Sequence, residues 1–170
     1  MNSDAVVHPD IGDSIEIMRK AHEGQIDKSG RPYYLHPLRV AMRLAQCTPA
    51  ERHAALLHDV VEDTVLTLDD LKALGYSDEI LELVDILTRR KPAGESHNQY
   101  LERIVASRNA KALRVKLADL LDNMSPARMR ALAPEDQGMQ NRFARDLQRI
   151  GAALNLLRDE LSATIPRGDL

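Results

Sequence analysis

Apolar residues in this chain recur at helical rather than alternating spacing along nearly its whole length. Ile11, Ile15 and Met18 mark a first helix running to about His22 or Glu23. A polar loop follows, Gly24 to Pro32, with glycine and proline as turn residues. Pro37 suits the first turn of a second helix carrying Val40, Ala41 and Leu44. Thr48-Pro49 reads as the cap and start of a third, whose apolar run extends from Ala54 to Val61. Thr67, with Asp70 three residues on, opens a short helix that Gly75 closes. Ser77 is placed as the cap of another, Asp78 to about Arg89, with Ile80, Leu83, Val84 and Leu87 on its apolar face. Beyond the basic loop Arg89 to Ser96, helices are expected from about Asn98 to Ala106 and from Asn109 to Met124, with Ser125-Pro126 as a break. A last long helix is expected from about Glu135 to Ala163. Alternating Val/Ile/Thr runs and repeats are absent, so the expected fold is all-α, a bundle of roughly seven to nine helices.

Composition agrees. The 170 residues suffice for one domain with a proper core, taken as residues 1–170. With 44% apolar residues but only 3% aromatic, no Trp and the single Phe143, that core must be Leu, Ile, Val, Ala and Met. A net charge of -3 with both signs interspersed gives no reason to expect a nucleic-acid polymer as partner. One cysteine, Cys47, allows no internal disulfide. The N-terminal residues Met1 to Asp4 lack a signal-peptide pattern, and no apolar run reaches a membrane span, so a cytoplasmic protein with no membrane partner is expected.

Ionisable residues interrupt this apolar pattern at three points. The doublet His58-Asp59 ends the run that starts at Ala54, where a structural helix normally keeps both residue types out. A buried imidazole or carboxylate costs several kcal/mol unless something compensates it, and a bound cation does so for both at once. Glu62-Asp63 lies one helical turn on, at i, i+4 from the doublet. His36 stands at a helix start, and Asp119 sits in a Leu/Val/Ala environment between Leu113 and Met124. Two imidazoles and two carboxylates suit a Mn²⁺, Fe²⁺, Zn²⁺ or Mg²⁺ site with positions left open for water. Such a site activates water, and Glu62-Asp63 is placed to handle protons.

The ordered set His36, His58-Asp59 and Asp119 resembles the HD superfamily of metal-dependent phosphohydrolases. Residues 18 to 126 more closely resemble the hydrolase domain of the RelA/SpoT family and its small alarmone hydrolases. The matching segments are Ala21 to Gln25, Lys28-Ser29-Gly30 with Pro32-Tyr33 and His36-Pro37, Ala54 to Thr64, and Val115 to Asp119 with Asn123-Met124. The resemblance implies an HD-domain helical bundle whose metal ligands are His36, His58, Asp59 and Asp119, with Mn²⁺ the usual cofactor. It implies Glu62 and Asp63 as the catalytic acids, Lys28 and Ser29 facing nucleotide and phosphates, and Asn123 near the ribose. The implied reaction is removal of the 3′-pyrophosphate from a ppGpp-like guanosine nucleotide, a small-molecule partner.

Two departures bear on specificity. Asp27 stands where the family commonly has the Arg that stacks on guanine, and Leu120-Leu121-Asp122-Asn123-Met124-Ser125-Pro126 lacks the Arg and Thr residues found near the base. The alternatives are therefore a phosphohydrolase for a different (deoxy)nucleotide or small phosphate ester, and a non-catalytic nucleotide- or metal-binding sensor. His53 is read as an interhelical residue, Cys47 as a buried small hydrophobe, and Arg89-Arg90-Lys91 as a solvated run or a phosphate rim. Phe143, Leu147, Ile150, Leu154 and Leu157 form a core stripe first and a homodimer surface second.

Overall fold

Four of the helix starts are set by short polar motifs of one kind. Asp10 with Asp13, Thr48 with Glu51, Thr67 with Asp70, and Ser96 with Gln99 form reciprocal capping boxes, each satisfying two otherwise unpaired N–H groups. They open α1 (Ile11–Ala21), α3 (Pro49–Leu57), α5 (Leu68–Ala73) and α7 (His97–Ala106). Between them lie α2 (Leu35–Arg43), the single turn α4 (Val60–Asp63) and α6 (Asp78–Leu87), and after them α8 (Ala110–Asn123), α9 (Pro126–Arg130) and α10 (Gly138–Thr164). The computed structural model describes residues 8–133, 136 and 138–164, with side chains placed up to Glu160. Among these residues there is no strand, only an isolated antiparallel bridge between Ile26 and Pro32. The all-α expectation holds.

The differences from expectation are local. Ser77 precedes α6 as expected, but its side chain makes no capping hydrogen bond. The helix expected to run through Val61 stops at Leu57 instead. There the His58 ring donates through Nδ1 to the Ala55 carbonyl at 2.8 Å, and Asp59 turns the chain before α4 begins. Local side-chain bonding of this kind competes with helix propagation. The 89–96 loop holds a 3₁₀ turn, Lys91–Ala93, closed by Gly94 at φ 77°. Ser125-Pro126 does not merely break α8; Pro126 starts α9. The Glu135 start expected for the last helix lies outside the described residues.

The core has two parts. One gathers Met18, Val40, Leu56, Leu57, Val60, Leu83, Val84 and Leu87 around α3. The other joins Tyr100, Leu101, Ile104, Phe143 and Ile150 from α7 and α10. Helix α8 runs between them, giving Ala112, Val115 and Ala118 to the first and Leu113 and Leu120 to the second. A helix packed on two sides belongs inside, and α8 brings three of its charged residues in with it. Lys116, Asp119 and Asp122 are all buried.

Candidate metal centre and substrate cavity

Three elements converge on one buried point. Helix α2 places His36 in its first turn, the α3–α4 junction places His58 and Asp59, and α8 places Asp119 in its last turns. His36 Nε2 is 3.1 Å from Asp119 Oδ1 and 3.8 Å from Asp59 Oδ2. His58 Nε2 is 3.0 Å from Asp59 Oδ2 and 3.9 Å from Asp119 Oδ1. Ligand atoms of His36, His58 and Asp119 all lie within 4.8 Å of one another. The break after Leu57 is what turns the doublet inward: His58 is buried and Asp59 nearly so.

The donor set fits a divalent cation. His58 Nε2 is buried and has no hydrogen-bond partner, because its contact to Asp59 is close in distance but not aligned as a bond. Its other nitrogen is already committed to Ala55, which fixes the tautomer that leaves Nε2 as a donor atom for a metal. Two carboxylates this close demand compensating positive charge, and the imidazoles register that demand. Burial works against a charged His58, yet the Asp59 carboxylate prevails and pushes it up to about 9. Burial likewise opposes charge on His36, and its hydrogen bonds to Asp119 and Asp122 raise it. Asp119 is held well below the usual carboxylate range: burial opposes this, but Lys116 and His36 outweigh it.

A second layer holds these groups in place. His36 Nδ1 donates to Asp122 Oδ2 at 2.8 Å, and Asp122 also accepts from Arg39 Nε at 2.9 Å. Lys116 Nζ donates to Asp119 Oδ2 at 2.7 Å, Asn123 Nδ2 to Asp119 Oδ1 at 2.6 Å, and Tyr33 Oη to Asp59 Oδ2 at 2.7 Å. Lys116 thus holds Asp119 by the oxygen turned away from the imidazoles, while Asn123 and Tyr33 donate to the same Asp119 and Asp59 oxygens that face them.

The acids Glu62 and Asp63 sit one turn beyond Asp59 and face the 89–91 loop. Lys91 Nζ lies 2.9 Å from Glu62 Oε1 and 2.6 Å from Asp63 Oδ1, while the Arg89 N–H donates to Glu62 Oε2 at 2.8 Å. Lys28, Ser29 and Asn123 line a cavity of about 200 Å³ together with Tyr33, Arg128, Met129, Met139 and Phe143. Tyr33 and Asn123 connect that cavity to the cluster through Asp59 and Asp119. Lys28 is tied to Asp136 at 2.6 Å. Larger clefts exist, such as one of about 510 Å³ between α7 and α10, but they lie away from the His/Asp convergence.

At position 27, where the base-stacking Arg is missing, the Asp has a structural role in the loop. Its side chain is 1% exposed, and Oδ1 accepts from the Ser29 N–H, the Ser29 hydroxyl and the Arg31 N–H at 2.8, 2.6 and 3.1 Å. It organises the loop that Gly30 (φ 75°) turns, and its Oδ2 meets Arg128 Nη1 of α9 at 3.3 Å. Arg128 thereby becomes the guanidinium of the cavity, delivered by a helix the sequence pattern did not reveal.

Asp122, Arg128 and Lys91 are the residues that sequence reasoning did not single out as partners of the site. Asp122 had a signal: it lies three residues after Asp119, on the face of α8 that turns toward α2. Arg128 had none, since only the folded chain brings α9 to the cluster; Lys91 lay in the run read as a solvated face or a phosphate rim, and the fold turns it onto the acid pair instead. Other residues resolve as structural. Arg114 pairs with the buried Glu51 at 2.6 Å, and His53 Nδ1 meets Ser14 Oγ at 2.7 Å, an interhelical contact.

Residues 14–156 match the HD domain family. A guanosine-3′,5′-bis(diphosphate) 3′-pyrophosphohydrolase of Vibrio cholerae is 34% identical over 150 residues, covering 83% of this chain and 20% of that protein. A GTP pyrophosphokinase of Streptomyces coelicolor is 38% identical over 129 residues, covering 72% of this chain and 15% of the relative. The chain thus spans about a fifth or less of the length of these curated relatives. A solved structure described as a metazoan ortholog of SpoT that hydrolyzes ppGpp superposes with a TM-score of 0.68 at 24% identity, covering 96% of this chain and 99% of that one, and shows the same fold. The matched region contains His36, the His58-Asp59 doublet and Asp119, and the chain belongs to the HD-domain family.

Proposed function

We propose that residues 1–170 act as one metal-dependent phosphohydrolase domain that removes a phosphate or pyrophosphate group from a nucleotide. The nucleotide is of the ppGpp type, and the reaction that of a guanosine 3′,5′-bis(diphosphate) 3′-pyrophosphohydrolase. The observation that carries this reading is the convergence of His36, His58, Asp59 and Asp119 beside the cavity of Lys28, Ser29 and Asn123. The activity named for the Vibrio cholerae relative supports the substrate class.

These four residues would hold a divalent ion, Mn²⁺ being the expected one, and such an ion would supply an activated water and polarisation of a phosphorus–oxygen bond. The chain's own groups do the rest. Lys116 and Asn123 hold Asp119, Tyr33 holds Asp59, and Asp122 orients His36, so the four donors keep their mutual distances. Lys28 and Arg128 bring positive charge to the phosphate-bearing ligand in the cavity. Asp63, one-third exposed, handles the proton. A different nucleotide is the second reading. It is favoured by the cavity itself, where Arg128 on α9 supplies the guanidinium and position 27 supplies none.

Purified protein with Mn²⁺, incubated with ppGpp, pppGpp and common nucleotides, tests both readings. Pyrophosphate release from the guanosine substrates, abolished by Asp59→Ala and by Asp119→Ala, is expected. Release from another nucleotide alone moves the assignment to the second reading. No release from any of them at enzyme excess overturns the enzymatic reading and leaves a binding sensor.

A further inference from the structure

The 89–96 loop is built to hold one lysine still. Arg103 of α7 spans it, donating to the Ile86 carbonyl at 3.1 Å and the Thr88 carbonyl at 2.8 Å at the end of α6. Arg103 also grips Glu95 through Nε at 2.7 Å and Nη2 at 3.0 Å. Glu95 in turn accepts the Arg90 N–H at 2.8 Å, and Gly94 closes the 3₁₀ turn from Lys91. The loop is thus pinned on both sides of Lys91, whose ammonium reaches α4 and touches both acids of the Glu62-Asp63 pair. Burial opposes the charge on Lys91, but its hydrogen bonds to Asp63 and Glu62 raise its proton affinity, so it stays a cation.

The pair is not held symmetrically. Glu62 has both oxygens occupied, one by Lys91 and one by the Arg89 N–H. Asp63 has Oδ1 on Lys91 and its carbonyl on Gln25 Nε2 at 3.0 Å, while among the described residues no hydrogen bond reaches Oδ2. We propose that Lys91 is a positioning residue. It clamps Glu62 as a fixed strut and holds Asp63 with a single carboxylate oxygen, Oδ2, turned out for proton transfer. This divides two adjacent acids into one that anchors and one that reacts. Lys91 is itself half-exposed, and solvent-screened ion pairs contribute little to stability, so the effect belongs in catalysis more than in folding.

The kinetic arm of the test rests on the hydrolase reading, and the exchange arm does not. In Lys91→Met, kcat is expected to fall about tenfold or more with KM for the nucleotide changed less than about twofold, since the loss is of aim rather than binding. Lys91→Arg, which keeps the cation, is expected to restore most of kcat. Amide hydrogen exchange at Arg89 is expected to quicken in Lys91→Met, because Glu62 is no longer held against that N–H. An unchanged kcat overturns the proposal. So does a raised KM at unchanged kcat, which marks Lys91 as a phosphate contact instead. Should the wild-type protein hydrolyse no nucleotide, the hydrolase reading fails separately. Exchange then decides the clamp, and unaltered Arg89 protection in Lys91→Met refutes it.

Discussion

At the scale of single residues, the site separates groups that would hold an ion from groups that hold those residues in place. Asp119→Ala removes one of the proposed ligand oxygens and leaves Lys116 buried without its partner. Loss of stoichiometric metal is therefore expected by elemental analysis, and retained metal refutes the ligand set. Asp122→Asn keeps shape but weakens the bond that orients His36. A fall in metal affinity of about 10- to 100-fold, read by competition with a chelating dye, is expected. Position 27 shows how far a residue's role depends on its surroundings. From sequence, Asp27→Arg restores a stacking group. In the fold it removes three loop hydrogen bonds and places a guanidinium beside Arg128. Asp27→Ala alone is expected to cost about 1–3 kcal/mol in urea unfolding. An unchanged unfolding midpoint contradicts the structural role.

At the scale of elements, the junctions carry more function than the helices. The stop after Leu57 turns His58 and Asp59 inward, and the 89–96 loop bears on the acid pair. That loop has a pH signature. Arg103 beside Glu95, with burial opposing and the Arg90 N–H adding to the effect, brings Glu95 from its ordinary 4.5 to about 2. A carboxylate lowered on folding stabilises the protein fully above its unfolded value, and that contribution is lost as pH falls through the folded one. The Tm difference between wild type and Glu95→Gln is thus expected to be constant above about pH 5 and to shrink toward zero near pH 2. A difference independent of pH across that window rules out the ion pair as its source. The Thr48 and Thr67 helix starts and the α6 stripe were legible as local sequence patterns, because each is made by residues within two helical turns of one another. The break at His58 was not, since an unbroken apolar run reads as an unbroken helix.

At the scale of the molecule, α8 is the shared wall of both core clusters and the carrier of Asp119. Unfolding either cluster exposes it, so the described region is expected to unfold in one cooperative transition. Ile150→Ala, in the cluster away from the metal ligands, is expected to cost about 2–5 kcal/mol while keeping that single transition in urea. Two separated transitions contradict the shared wall. Among the described residues, no helix is long and apolar enough to cross a membrane.

What the sequence determined by itself was the helical class, the aliphatic core and the four residues His36, His58, Asp59 and Asp119. These follow from periodicity, composition and the cost of burying charge, which are properties of the chain read locally. Tertiary structure alone decided which groups meet. Arg128 reaches Asp27 across 101 positions, Asp122 reaches His36 across 86, and Lys91 reaches Asp63 across 28. Such contacts depend on how helices pack and where loops are pinned, and apart from the place of Asp122 one turn after Asp119, the spacing of the partners does not record them.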